Sequence, residues 1–270
     1  MGSTERLARL GRRSDADLAE AALCVCASVE DVDVDAWLLR IDALADALRT
    51  SGSLTGVPAA DAVALGEFLG GLHGFRGNTD DYYDPANALL TQVLERRVGI
   101  PITLAVLYVA IARRVRIPAW GIAMPGHYYV GVGSREDTTV LDAFSGGTVV
   151  DHEELAARVR AASGGRIEFT RTLLRAAGPA STTRRILNNL TRDFTNRGDY
   201  AEALRTIDCK LVLPNAVADD HRVRGELLSH LGQFGWAAQS YERYLEIVGP
   251  DADDADEVRA RAIRARARLN

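Results

Sequence analysis

The chain has 270 residues, 47% of them apolar and 26% charged. This is the make-up of a globular protein with one large domain or two modest ones, and it excludes a disordered or fibrous chain. Its 32 basic and 37 acidic residues leave a net charge of −5, which gives neither the electrostatic footprint of a nucleic-acid binder nor a polybasic anchor for anionic lipid. Three cysteines, Cys24, Cys26 and Cys209, make an odd count that fits a reducing cytoplasm. The opening MGSTERLARLGRR carries no apolar run with a cleavage site behind it, so no signal peptide is expected. The longest nearly unbroken apolar stretch, residues 102–112, falls short of a membrane span.

Residues 14–75 predict several helices. Asp17 and the Asp31-x-Asp33-x-Asp35 run offer N-cap oxygens ahead of apolar residues at helical spacing, such as Trp37, Leu38, Ile41, Leu44 and Leu48. Cys24 and Cys26 fall in one such apolar pattern and, with no matching ligand pair, are read as core. SGSLTGVP at 51–58 is a break, Asp61 opens a further helix through Leu72, and GFRGNTDDYY at 74–83 is a polar loop. A helix is expected from Pro85 to Arg96. Pro101 then suits the first turn of a helix, and ITLAVLYVAIARRV is apolar on nearly every face, the pattern of a fully buried central helix. Beyond it AWGIAM, HYYVGV, TTVLDAF and TVVD are rich in β-branched and aromatic residues and are separated by turns. One buried helix followed by a meander of strands predicts an α+β fold.

The last ninety or so residues change character. Gly198 and Gly232, and likewise Ala203 and Ala237, lie 34 positions apart, the tetratricopeptide period. Two helical repeats and a capping helix, Asp256 to Leu269, are expected to dock on the α+β unit, since stacking needs about three units to bury a continuous core.

Candidate chemistry falls between Tyr82 and Gly147. His127 opens a strand after a Pro-Gly turn and Asp142 closes a later one, so a hairpin can set the carboxylate against the imidazole on one face. Asp84, Asn87, Arg97 and Tyr128 are candidate ligand-binding residues lining the same cleft. Helix capping is the competing reading for Asp84 and Asn87, and Arg97, like Arg96, suits a helix end electrostatically. The remaining histidines show no metal-ligand spacing, and neither a GxGxxG nor a GxxxxGK[ST] phosphate cradle occurs.

The run YYDPANALLTQVLERRVGIPITL, with PGH at 125–127 and LDAFSGG at 141–147, followed by the repeat-bearing tail, resembles the SirB-type family of bacterial proteins with a transglutaminase-like core. The resemblance implies a papain-like arrangement: a nucleophile at the N-terminus of the central helix, then a strand His and a strand Asp. Counting back from Arg116, which holds the place of the family's helix-closing glycine, lands on Pro101, where the nucleophilic cysteine would stand. Proline has no nucleophile. Thr103, two residues on, carries a hydroxyl for which His127 is the available base, although local bonding to the helix backbone is the simpler expectation.

The expected organisation is a helical segment at 1–75, a transglutaminase-like core at 76–178 and repeats at 179–270. The expected function is a cytoplasmic binding or regulatory component without the Cys nucleophile. It recognises a protein or peptide partner through the repeat groove and uses no cofactor, metal, nucleic acid or membrane. The alternative is a hydrolase or acyl-transfer enzyme in which His127 and Asp142 act with Thr103 or an activated water.

Overall fold

The computed structural model describes residues 2–269. Five helical segments precede the central helix. They are α1 (Ser3–Gly11), α2 (Leu18–Val29), α3 (Val34–Thr50), α4 (Pro58–Gly66), which runs on into a π-helical turn at Glu67–Leu72, and α5 (Leu90–Arg96). The Asp17 carboxylate accepts from the backbone N–H groups of Ala19 and Glu20, and that of Asp33 from Asp35 and Ala36. These are the predicted caps. Asp61 does not open a helix: α4 begins at Pro58, and the Asp61 carboxylate reaches back to the backbone N–H groups of Thr55 and Gly56, fastening the preceding turn. The helix expected over 85–96 is split into a 3₁₀ turn at Pro85–Asn87 and α5, because Asn87 is drawn inward to bond with the loop. Arg97 ends α5 in the left-handed region, at φ 62°.

The central helix α6 (Pro101–Arg114) starts with proline in its first turn, and twelve consecutive residues, Pro101 to Ala112, are buried. It lies against one face of an antiparallel sheet ordered β3-β4-β5-β6, where β3 is Ala119–Met124, β4 His127–Gly133, β5 Thr138–Asp142 and β6 Thr148–Val150. Two short parallel strands, β1 (Arg76–Gly77) and β2 (Val98–Gly99), tie the loop before α5 to the approach of α6. Side chains alternate across the sheet. Tyr128, Val130, Val132 and Leu141 join the large core around α6, while Ile122, Met124, Tyr129 and Val140 pack under α7 (His152–Ser163). The sequence alone assigns no element to the α7 stretch.

Alternating helices α8 (Pro179–Arg197), α9 (Tyr200–Leu211), α10 (Ala218–His230), α11 (Phe234–Val248) and α12 (Ala255–Ala267) complete the chain. Gly198 closes α8 at φ 82° and Gly232 follows α10 at φ 71°. The equivalent glycines of the two repeats thus make equivalent left-handed turns, a conformation that suits glycine because it has no Cβ. Ala203 and Ala237 are fully buried where the helices cross. One apolar cluster runs from Leu7 through α2, α3, α6 and β4 to Ile186, Leu190, Ile207 and Leu227, so the repeats share the core of the sheet-bearing unit.

Candidate active site

The hairpin register sets the site. Val130 pairs with Leu141 across β4 and β5, so Tyr129 and Asp142 face the opposite side of the sheet, toward α7. His127, two residues before Tyr129, shares that face. The His127 Nε2 lies 2.8 Å from Asp142 Oδ1. The imidazole packs against Tyr129, with ring centroids 4.4 Å apart, and edge-on to Phe144 at 6.1 Å.

Asp142 is almost wholly enclosed, with 1% of its side chain exposed, while 21% of that of His127 remains open. Its Oδ1 also accepts from the backbone N–H groups of Phe144 at 3.1 Å and Ser145 at 3.4 Å. Its Oδ2 accepts from the Ser145 hydroxyl at 2.9 Å and from the Arg158 guanidinium of α7 at 2.7 Å. Burial alone would raise the carboxyl, but the hydrogen bonds from His127, Arg158 and Ser145 hold it well below the usual carboxylate range. An ionised carboxylate only accepts, so Nε2 must be the donor in the His127–Asp142 bond. In the neutral imidazole Nδ1 is then the acceptor, and among the described residues it has no hydrogen-bond partner. The pair is therefore built to present a basic nitrogen in a fixed tautomer.

Two glycine contacts hold this geometry. A Cβ on Gly77 would sit 2.4 Å from the Phe144 ring, and the Gly77 N–H donates to the Phe144 carbonyl at 2.7 Å. Gly66 and Gly70 lie directly against the carbonyls of Gly147 and Gly146. From α8, the Arg185 guanidinium donates to the Met124 carbonyl at 3.2 Å and to the His127 carbonyl at 2.9 Å, clamping the turn that presents the imidazole.

The other candidate residues are placed as follows. Tyr128 neighbours His127 in sequence and so points the other way; it is buried beside α6, its hydroxyl 2.7 Å from that of Thr182. Asn87 is fully buried, accepting from the Asn78 side chain at 3.0 Å and donating to the Asp81 carbonyl at 2.7 Å. Asp84 accepts from the Ala86 N–H and pairs with Arg96 at 3.0 Å and Arg197 at 3.5 Å. Arg97 is exposed and lines a separate cavity with His73 and Phe75. None of these four is brought to the His–Asp pair by a hydrogen bond.

Pro101 occupies the helix start, and Thr103, fully buried, has no hydrogen-bond partner for Oγ1 among the described residues. The local backbone bond expected for it does not form. A buried hydroxyl without a partner carries its desolvation penalty uncompensated. Thr103→Val is therefore expected to leave stability unchanged or raise it by about 1 kcal/mol in urea unfolding; a marked loss of stability would show a hydrogen bond to Thr103.

All three cysteines are free and buried, Cys24 and Cys26 in α2 and Cys209 in α9. Burial pushes the Cys24 thiol up to about 12 and Cys26 to about 11, and raises Cys209 as well. Such thiols are poor nucleophiles. No group of three or more His, Cys, Asp or Glu residues among those described is arranged to hold a metal ion.

The residues missed in the sequence are Arg158, Ser145, Phe144 and Arg185. A signal for Arg158 was present: Asp151 caps α7, Glu153 and Glu154 stand in its first turn, and Leu155 and Val159 keep helical spacing.

The sequence matches the family described as the transglutaminase-like superfamily over residues 35–188 and a tetratricopeptide repeat family over 194–263. A UPF0162 protein of Xylella fastidiosa is 34% identical over 236 residues, covering 86% of this chain and 84% of that protein. A UPF0162 protein of Pseudomonas aeruginosa is 31% identical over 160 residues, 58% of this chain and 57% of its own length. The human F-box only protein 21 is 39% identical over 70 residues, which are 26% of this chain and 11% of that protein. With a transglutaminase-like sheet and central helix joined to tetratricopeptide repeats, the chain belongs to the SirB-type UPF0162 family of transglutaminase-like proteins.

Proposed function

We propose that the protein is a cytoplasmic binding or regulatory component, in which a transglutaminase-like fold without its thiol serves as a scaffold and the repeats hold a protein or peptide partner. The observation that carries this reading is the mismatch at the site. A His–Asp pair is held by five donors to one carboxylate, yet the leading end of α6 offers a proline and a buried threonine, and every thiol is locked in the helical core. Three unpaired buried cysteines agree with a reducing compartment, and no described helix is long and apolar enough to cross a membrane.

The partner surface in this reading is the repeat end, where α10, α11 and α12 enclose a cavity of about 520 Å³ bordered by Phe234, Tyr241, Arg264 and Arg268. Among the described residues Arg264 and Arg268 have no carboxylate within ion-pair distance, so a partner segment with acidic groups is the complementary one. Cross-linking of the full chain in its host, followed by mass spectrometry, provides the test. His127→Ala should keep the wild-type set of partners, and Arg264→Glu with Arg268→Glu should lose it. The reading fails if the wild type turns over an ester or amide substrate and His127→Ala abolishes that turnover. That result would establish the hydrolase alternative, for which the unpartnered Nδ1 of His127 is the favouring observation.

A further inference from the structure

The far end of the sheet carries a second feature, unrelated to the dyad. His127 opens β4 and Gly133 ends it, so the two ends of the strand lie roughly 20 Å apart. At the Gly133 end two cavities of about 430 and 490 Å³ adjoin, sharing Arg135, Leu174 and Arg175 in their walls. Arg113 borders the first and Arg171 the second. Among the described residues no carboxylate borders either.

Four exposed arginines therefore border one trough in a chain whose net charge is −5. Among the described residues the ion pairs occupy arginines throughout the molecule, such as Arg6, Arg114, Arg158, Arg184 and Arg222, yet none of these four has a carboxylate within 4.0 Å. Two of them are fixed in place by backbone carbonyls. Arg113 Nε donates to the Ala119 carbonyl at 3.0 Å, and Arg171 donates to the Glu136 carbonyl at 2.8 Å. The acids in the turn of the adjoining hairpin, Glu136 and Asp137, are exposed, and against the four arginines they leave two positive charges in excess there. Like charges left adjacent and uncompensated repel one another, and a bound anion relieves that repulsion.

The first cavity also has an aromatic wall. The Trp120 indole lines the first cavity, anchored by its N–H to the Leu174 carbonyl at 2.8 Å, and Gly131 gives it room: a Cβ there would lie 2.6 Å from the ring. Thr138 and Thr172 border the second cavity, the Thr138 hydroxyl donating to the Ser134 carbonyl and that of Thr172 bonded to the Thr170 hydroxyl. Planar guanidinium forks suit the oxygens of a phosphate group, and an indole suits a flat ring. Each cavity is of a size that takes a small molecule.

The geometry points to a binding site for a small phosphate-bearing molecule in the trough between the β4–β5 hairpin and the 3₁₀ turn at Arg171–Leu174, with Arg113, Arg135, Arg171 and Arg175 as its anion donors. The test is a thermal-shift and tryptophan-fluorescence titration of the full chain with inorganic phosphate, pyrophosphate and AMP, with adenosine as the phosphate-free control. Saturable binding of at least one phosphate-bearing probe is expected. It should weaken about tenfold or more in the doubly substituted Arg135→Glu, Arg175→Glu chain, since removing one charge-assisted hydrogen bond carries roughly that factor. Arg9→Glu with Arg12→Glu makes the same change of charge at the exposed end of α1 and should leave binding in place. The assignment is overturned if none of the three probes binds saturably, if both double variants weaken binding equally, or if adenosine binds as tightly as AMP.

Discussion

Asp142→Asn is expected to lose about 3 kcal/mol of unfolding free energy at neutral pH, the size of the loss when one partner of a buried ion pair is removed. The asparagine keeps the shape but forfeits the charge that Arg158 and the His127 N–H require, and its amide places a donor where Asp142 now only accepts. The pH dependence has a definite sign. The Asp142 carboxyl titrates below its ordinary range when folded, so its contribution is fully present above the unfolded-state value near about 3.9 and is lost as the pH falls through the folded one. Urea unfolding at pH 7 should show the full gap between wild type and variant, and strongly acidic conditions should narrow it. Glu154→Gln removes only the half-exposed outer partner of Arg158 and should cost less than about 1 kcal/mol. A variant at Asp142 as stable as wild type would mean that the network is held by packing alone.

The second large effect is expected at Gly70. A Cβ there would lie 1.7 Å from the Gly146 carbonyl oxygen, and one on Gly66 would lie 2.2 Å from that of Gly147. Both opposing atoms are backbone, so no side-chain rotation relieves the clash. Gly146 and Gly147 themselves sit at φ 72° and 80°, where the turn cannot shift cheaply. Gly70→Ala should therefore destabilise by about 3 kcal/mol or more, in the upper range for point substitutions. It should also disturb the imidazole resonances of His127, because Gly147 N–H donates to the Asp142 carbonyl at 2.8 Å and the same turn seats the carboxylate. Gly71→Ala is the control. Nothing stands within 4 Å of its Cβ position, and an exposed helical alanine should be neutral or stabilising by up to about 1 kcal/mol. Equal thermal midpoints for the two alanine variants would contradict the close approach.

Much of this site was legible in the residues. Proline and an all-round apolar run defined α6, β-branched and aromatic runs between turns defined β3 to β6, and the positions of His127 and Asp142 at strand ends predicted their meeting. The glycine pair of LDAFSGG could be seen as a motif, but its partner could not. That partner is the Gly66-x-x-x-Gly70 spacing in a helix some seventy-five residues earlier, and only the packing joins them. Tyr128 was separable from His127 by the two-residue period of a strand alone. Asn87 was harder to read: the same side chain can cap a helix or fasten a loop, and which it does depends on Asn78 lying beside it. Arg158 was harder to find because its helix follows an edge strand after a single residue and carries few apolar positions, so that its cap and acidic first turn are stronger signals than its period.

The grip of Arg185 on the carbonyls of Met124 and His127, together with the Tyr128–Thr182 contact, has a bearing on how the molecule divides. A chain cut ahead of Pro179 would lose the brace behind its histidine and uncover the tyrosine, while the severed solenoid would bare Ile186 and Leu190 to water. Excision should therefore cost both halves stability, and a change in α8 should register in the imidazole resonances.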